Sequence, residues 1–204
     1  MEIDSYVKHK LMKIKYQKAL TQKPNDLFSA YEFAQKNKLS KSNFLKAHKL
    51  ISKHILVASE QGKTRNSEMI VLDDRQRVLY EACPKDTVNE IFTTFFKNIT
   101  TLLKKKNSID EIFFYASLLH LVCVNIHPFA DGNGRSARLL EKWFLAEKLG
   151  EKAWFIQSEL YYWNHREMYC KNLSKQGVFY EKINYDTSLD FLLMLPKSLK
   201  NINK

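Results

Sequence analysis

The sequence predicts a mainly α-helical bundle carrying one small β-hairpin. Apolar residues recur at helical spacing over most of the 204 positions. One segment, "EMIVLDDRQRVLY", instead reads as two short strands about Asp73-Asp74. Nothing else offers that hairpin a sheet to join, so it is expected to lie on the helices with an edge left open.

Taken in order, Tyr6, Leu11 and Ile14 suggest an N-terminal helix, and "NDLFSAYEFAQKNK" a second with Asn25 or Asp26 as its N-cap. "SKSNFLKAHKLISKHIL" puts Phe44, Leu45, His48 and Ile51 on one face. "TVNEIFTTFFKNITTLLKKK" spaces Val88, Ile91, Phe92, Phe95, Ile99, Leu102 and Leu103 helically, with Thr87 and Glu90 as a capping box. "SIDEIFFYASLLHLVCVNI" is apolar almost all round, the mark of a helix buried mid-bundle. "SARLLEKWFLAEKLG" is another helix, closed by Gly150 at its C-cap. "SELYYWNHREMYCKNLSKQG" and "SLDFLLMLPKSL" complete the set, with Trp143, Trp154, Tyr161, Tyr162 and Trp163 read as packing residues. The expected organisation is an N-terminal helical extension over 1–58, a core over 59–180 with its hairpin at about 68–80, and a C-terminal helical segment over 181–204.

Composition is that of a globular protein, 45% hydrophobic and 27% charged, with a net charge of +11. The lysines are scattered, so they read as solvated faces; nucleic acid is the weaker explanation. Three cysteines, Cys83, Cys123 and Cys170, stand far apart without a CxxC spacing. That suggests neither a zinc knuckle nor a disulfide framework and fits a reducing, cytoplasmic setting. The first residues lack the apolar stretch of a cleaved leader, and no run of 18 apolar residues occurs, so no membrane contact is expected. Delivery by a specialised secretion system stays open.

One stretch is not explained by helix packing: "HPFADGNGRSARLL", residues 127–140. Pro128 ends the buried helix and biases His127 away from helical angles. A following helix is expected from near Ser136. Between them, Gly132-Asn133-Gly134 can turn successive N–H groups toward one point, at a helix N-terminus whose dipole favours negative charge. Arg135 and Arg138 add guanidinium forks suited to phosphate. Asp131 is the lone carboxylate that Mg²⁺ uses beside phosphate oxygens. His127, four residues upstream, could take a proton from an attacking hydroxyl. Anion nest, carboxylate, arginines and base together describe nucleotidyl or phosphoryl transfer. An EF-hand fails because Ser136 stands where glycine is required, and a P-loop fails because Val57 replaces the first glycine before Gly62-Lys63-Thr64.

The stretch "HPFADGNGRSAR" resembles the signature of the Fic family, His-x-Phe-x-Asp/Glu-Gly-Asn-Gly-Arg-x-x-Arg, at every defining position. "ASLLHLVCVNIHPF", "SELYYWNHREMYCKNL" and "GKTRNSEMIVLDDRQRVLYEACP" resemble the family's leading helix, later helix and flap, so the likeness covers roughly 60–175. The resemblance implies a Fic-fold helical bundle with a β-hairpin flap, and a protein adenylyltransferase moving AMP from ATP to a Tyr, Thr or Ser hydroxyl with release of pyrophosphate. It makes His127 the general base, with Asn133 and Arg135 acting beside it. Asp131 would hold Mg²⁺; Gly132, Asn133 and Gly134 would cradle the phosphates; Arg135 would grip the β-phosphate side and Arg138 the γ-phosphate. Phe129 would anchor the loop in the core, and Tyr169 or Asn172 would border the adenine. The flap would receive a protein target by adding a strand to its edge.

The family's inhibitory motif, Ser/Thr-x-x-x-Glu-Gly/Asn, is not matched in this sequence. Glu32 lacks both flanking residues, and Thr64-x-x-x-Glu68 is followed by Met69. A separate inhibitory partner, or a homo-oligomer, is the corresponding expectation. Other phosphate-group transfers and a non-catalytic, basic nucleotide or nucleic-acid binder remain as alternatives. His120 is read as structural.

Overall fold

The structure is a computed structural model that describes residues 23–72 and 76–199. In order it holds α1 (Lys23–Gln35), α2 (Lys41–Ile51), β1 (Ile70–Leu72), β2 (Val78–Glu81), α3 (Val88–Lys104), α4 (Ile109–Ile126) and α5 (Asn133–Leu149). A 3-10 turn, Glu151–Phe155, leads to α6 (Ser158–Asn164) and α7 (Arg166–Ser174). Two more 3-10 turns precede the short α8 (Leu189–Leu192) and α9 (Met194–Ser198). This is the helical bundle with one antiparallel hairpin that the patterning predicts. The helix expected around Tyr6, Leu11 and Ile14 and the turn at Asp73-Asp74 lie outside the described residues.

Helix α4 is the axis of the bundle. It starts on a capping box in which the Ser108 hydroxyl accepts from the Glu111 N–H and the Glu111 carboxylate accepts from the Ser108 N–H, at 2.8 Å. Its length and apolar composition would suit a membrane span. Ten of its residues are instead buried in the protein, among them Ser117, His120 and Asn125. Ser117 donates to the Leu192 carbonyl at 3.1 Å, the satisfied polar contact of a core helix.

Two other caps differ from expectation. Thr87 has helical angles, and its hydroxyl donates back to the Pro84 carbonyl at 3.2 Å, so no capping box forms with Glu90. Helix α1 begins at Lys23, which places Asp26 in its first turn, buried and 2.8 Å from His54. The single helix expected over 158–177 breaks at His165 (φ −118°, ψ 37°), whose Nδ1 lies 2.8 Å from the Tyr161 carbonyl oxygen. Trp163 beside that break is 70% exposed and stands outside the core, whereas Trp143 is buried and donates to the Asn37 carbonyl at 3.0 Å.

Helices α2 and α3 meet through aromatics: Phe44 lies 5.3 Å from Phe96 and 6.1 Å from Phe92, centre to centre. Ala30, Ala34, Phe44, Ala47 and Ile51 share one core with α3, α4 and α5. The hairpin pairs Ile70 with Glu81, Val71 with Tyr80 and Leu72 with Val78, with an irregularity between Val71 and Leu72. Ile70, Leu72 and Val78 face outward and are exposed, while Tyr80 turns inward and is buried. At its foot the Glu81 N–H donates to Val178 and the Ala82 N–H to Met69. β1 has β2 as its one strand partner among the described residues, so its outer edge is open.

Candidate active site

The turn after α4 is held from beneath by groups that are fully bonded. Phe129 is buried, 5.9 Å from Phe44 and 5.8 Å from Phe92, and its ring stacks on His48 at 3.6 Å and 6°. The buried Asn133 side chain clasps the Phe129 main chain from both sides, accepting its N–H at 2.9 Å and donating to its carbonyl at 2.7 Å. His48 Nδ1 accepts the Gly62 N–H at 3.1 Å, so the ring hydrogen sits on Nε2, which donates to the Asp131 carbonyl at 2.9 Å. Burial lowers the His48 pKa to about 4, keeping this brace neutral.

Helix α5 starts at Asn133, three residues before the expected Ser136, because only one glycine needs unusual angles. Gly132 has φ 83°, and a Cβ there would stand 3.3 Å from Ile51 Cγ2 and 3.4 Å from His48 Nε2. Gly134 lies within α5, and its missing Cβ leaves space beside the Arg138 guanidinium, 3.4 Å away.

Above the turn the polar groups point outward. Gly132 is the N-cap and no side chain caps the helix. The first N–H groups of α5, at Asn133, Gly134 and Arg135, have no acceptor within the helix, and the dipole makes that end positive. The Asp131 carboxylate, 60% exposed, accepts the Gly132 N–H and lies 3.8 Å from Arg135 Nη2. Arg138 stands close enough to depress the Arg135 pKa, after burial the chief lowering influence. Two adjacent guanidiniums over an uncapped helix end make a site for a multiply charged anion.

Arg138 is itself supported by a buried relay. It donates to Tyr169, whose hydroxyl lies 3.0 Å from His120 Nε2; His120 Nδ1 is 2.8 Å from Glu141 Oε2. Tyr162 donates to the same carboxylate oxygen at 2.7 Å. Since Tyr169 accepts from Arg138, its own hydrogen points to Nε2, leaving Nδ1–H for Glu141. Burial holds the Tyr169 pKa above its usual value, so it stays a phenol. His120 is structural, as expected, but in the service of Arg138.

His127 joins this site to the flap. Its backbone is left-handed (φ 51°, ψ 57°), and its Nδ1 lies 3.1 Å from the Tyr80 hydroxyl and 3.3 Å from the Val124 carbonyl oxygen. Burial, with the Arg65 charge adding to it, lowers the His127 pKa to about 4. The ring is therefore neutral at pH 7 and able to take a proton. Arg65, itself buried, donates to four carbonyls: His127 at 2.7 Å, Ile126 at 3.4 Å, Ser67 and Cys83. Its N–H donates to Pro128 at 2.8 Å. Ser67 and Cys83 flank the hairpin, so one guanidinium fastens both of its feet to the turn.

The structure thus brings His127, Asp131, Gly132, Asn133, Gly134, Arg135 and Arg138 to one turn. Asn172 is engaged elsewhere, donating to the Asp190 carbonyl at 3.2 Å. Arg65, Tyr80 and His48 are the contributors that sequence reasoning missed. Each acts through main-chain carbonyls or a neighbouring ring, and such partners leave no spacing to read.

Fold and turn together define a helical protein with an uncapped helix end and two arginines beside a neutral imidazole. The sequence model of the Fic/DOC family matches residues 38–145, more than half of the chain, and the protein belongs to the Fic/DOC family. Its fold matches a Fic family protein from Desulfovibrio desulfuricans with TM-score 0.69 and 22% identity over 88% of this chain and 51% of that one. It also matches a Fic domain containing signaling protein from Bacteroides thetaiotaomicron, with TM-score 0.60 and 20% identity over 89% of this chain and 69% of that one. The chain therefore spans about half the length of the first of these proteins. No curated protein matches the sequence.

Proposed function

We propose that the protein moves AMP from ATP to a Tyr, Thr or Ser hydroxyl of a target protein and releases pyrophosphate. The observation that carries this reading is the pairing, across one turn, of an uncapped helix end with two arginines and a neutral histidine. The target hydroxyl gives its proton to His127 as its oxygen bonds to the α-phosphorus, and the bond from that phosphorus to pyrophosphate breaks. The main-chain N–H groups of Asn133 and Gly134 donate to phosphate oxygens while the Gly132 N–H is held by the Asp131 carboxylate, and Arg135 and Arg138 neutralise the departing charge. The Asn133 side chain, fully bonded to Phe129, serves by keeping those N–H groups in place.

Among the described residues no three His, Cys, Asp or Glu side chains gather as a metal cage. Asp131 alone, exposed beside the anion site, fits Mg²⁺, which completes its shell with phosphate oxygens and water. Bound there, the ion would supply charge neutralisation at the phosphates. The exposed edge of β1 suits an extended target segment. Glu32 and Glu68 are both exposed, and the Glu68 carboxylate accepts the Lys85 N–H at 3.2 Å. Restraint by a separate partner or a second copy, in the cytoplasm, is the regulation this reading carries.

The test is to incubate the purified protein with ATP labelled at the α-phosphate, Mg²⁺ and cell lysate. A labelled protein band that His127→Ala removes is expected. No transfer from any nucleotide, with salt-dependent nucleic-acid binding that His127→Ala leaves intact, would identify a basic binding protein instead.

A further inference from the structure

Tyr80 belongs to the flap, yet its hydroxyl reaches the ring of His127. The two side chains are 47 positions apart and meet at 3.1 Å, between the Tyr80 oxygen and His127 Nδ1. A third atom completes the group: the Val124 carbonyl oxygen lies 3.1 Å from the Tyr80 hydroxyl and 3.3 Å from the same Nδ1. Three atoms within mutual hydrogen-bond distance share two hydrogens, and a carbonyl oxygen carries none. The Tyr80 O–H donates to Val124. Nδ1 must then carry the second hydrogen, since a bare Nδ1 would set its lone pair against those of the Tyr80 oxygen at 3.1 Å and of Val124 at 3.3 Å, and Nδ1–H donates chiefly to Tyr80, the nearer acceptor. With Nδ1 protonated and the ring neutral, Nε2 holds the free lone pair.

We propose that Tyr80 is a positioning residue for His127, a flap hydroxyl that fixes the imidazole with hydrogen on Nδ1 and leaves Nε2 bare to accept the proton of the attacking hydroxyl. This rests on the reading of His127 as the base. The consequence is a dependence of the base on the seat of the flap. Tyr80 is on β2, and Val71, its partner across the hairpin, is on the open-edged strand β1. Arg65 ties both feet of that hairpin to the carbonyls of His127 and Ile126. The histidine is thus gripped at ring and backbone by residues of the flap segment, and a flap lifted from the bundle takes away the group that orients its base.

Tyr80→Phe keeps the buried ring and removes only the oxygen. Imidazole nitrogens are read by ¹⁵N NMR of histidine-labelled protein, with His127 assigned by the signals lost in His127→Ala. Wild type is expected to show hydrogen on Nδ1. In Tyr80→Phe the ratio of the two tautomers is expected to move toward Nε2–H by about fivefold, the factor set by one lost hydrogen bond. Transfer should fall by the same order in kcat with KM for ATP unchanged. Unchanged thermal melting will show that packing survives, and Tyr80→Leu, which also loses the ring, provides the control for a packing role. Hydrogen on Nε2 in wild type, or a ratio that Tyr80→Phe leaves unmoved, overturns the proposal. A shifted ratio in a protein that transfers no nucleotide sustains the Tyr80 assignment and overturns the transferase reading.

Discussion

The turn between α4 and α5 and the hairpin beside it are built on opposite plans. Beneath the turn, Asn133, His48 and Arg65 each satisfy main-chain groups from buried positions, and the Phe129 ring seals the floor. The hairpin has three residue pairs, an irregular register and exposed Ile70, Leu72 and Val78. A short two-stranded ribbon is marginal by itself, so its place depends on Arg65, Tyr80 and the bond from Glu81 to Val178. On the proposed transferase reading, the difference separates two tasks. Charge must be met at fixed positions, so the phosphate side is preorganised. A partner segment must be met by adaptation, so the flap keeps unpaired N–H and carbonyl groups on one edge.

Variants can sharpen that contrast. The largest effect is expected for His127→Ala, a loss of transfer of about 10²-fold or more without loss of ATP binding, measured by labelling and by calorimetry. Arg65→Ala should breach the boundary between the two plans. Four carbonyls lose a charged donor, for a destabilisation of about 3 kcal/mol in denaturant titration, and Arg65→Lys should not restore it because a point charge cannot serve the fork. Asn133→Ala removes two buried bonds under the turn and should cost about 2 kcal/mol while weakening nucleotide binding. Should Asn133→Ala leave the melting curve unchanged, the turn is not rigidly braced and the contrast fails.

Acid titration addresses the same braces. His48 and His127 have ordinary values of 6.5 in the unfolded chain and about 4 in the folded one. Between those values the unfolded state binds more protons, so stability is present above about pH 6.5 and drains away as pH falls toward 4. Stability measured across that window should decline less steeply when either histidine is replaced. The smallest effect belongs to the flap: Leu72→Ser should change stability by no more than about 0.5 kcal/mol yet reduce labelling of the protein target.

The sequence made the bundle and the site legible to different degrees. Helical periodicity located the main helices, and α4 announced its burial by being apolar on all sides. The seven residues of the turn stood out because the phosphate chemistry proposed for them depends on both their types and their order. What escaped was set by tertiary contact. Thr87 satisfied the capping pattern, but its hydroxyl is turned back onto Pro84, while the box at Ser108 and Glu111 formed on the next helix. His165 broke a helix whose periodicity ran straight through it. Arg65 and Tyr80 were silent because their partners, carbonyl oxygens and a distant ring, are brought near only by folding.

The left-handed backbone of His127 carries one more lesson. For a residue with a Cβ that conformation costs about 1 kcal/mol or more, and glycine would adopt it freely. Judged by folding alone, position 127 invites His127→Gly, and the chain with that change should melt no lower. An imidazole installed where the architecture would sooner have no side chain is therefore a concession of stability to chemistry.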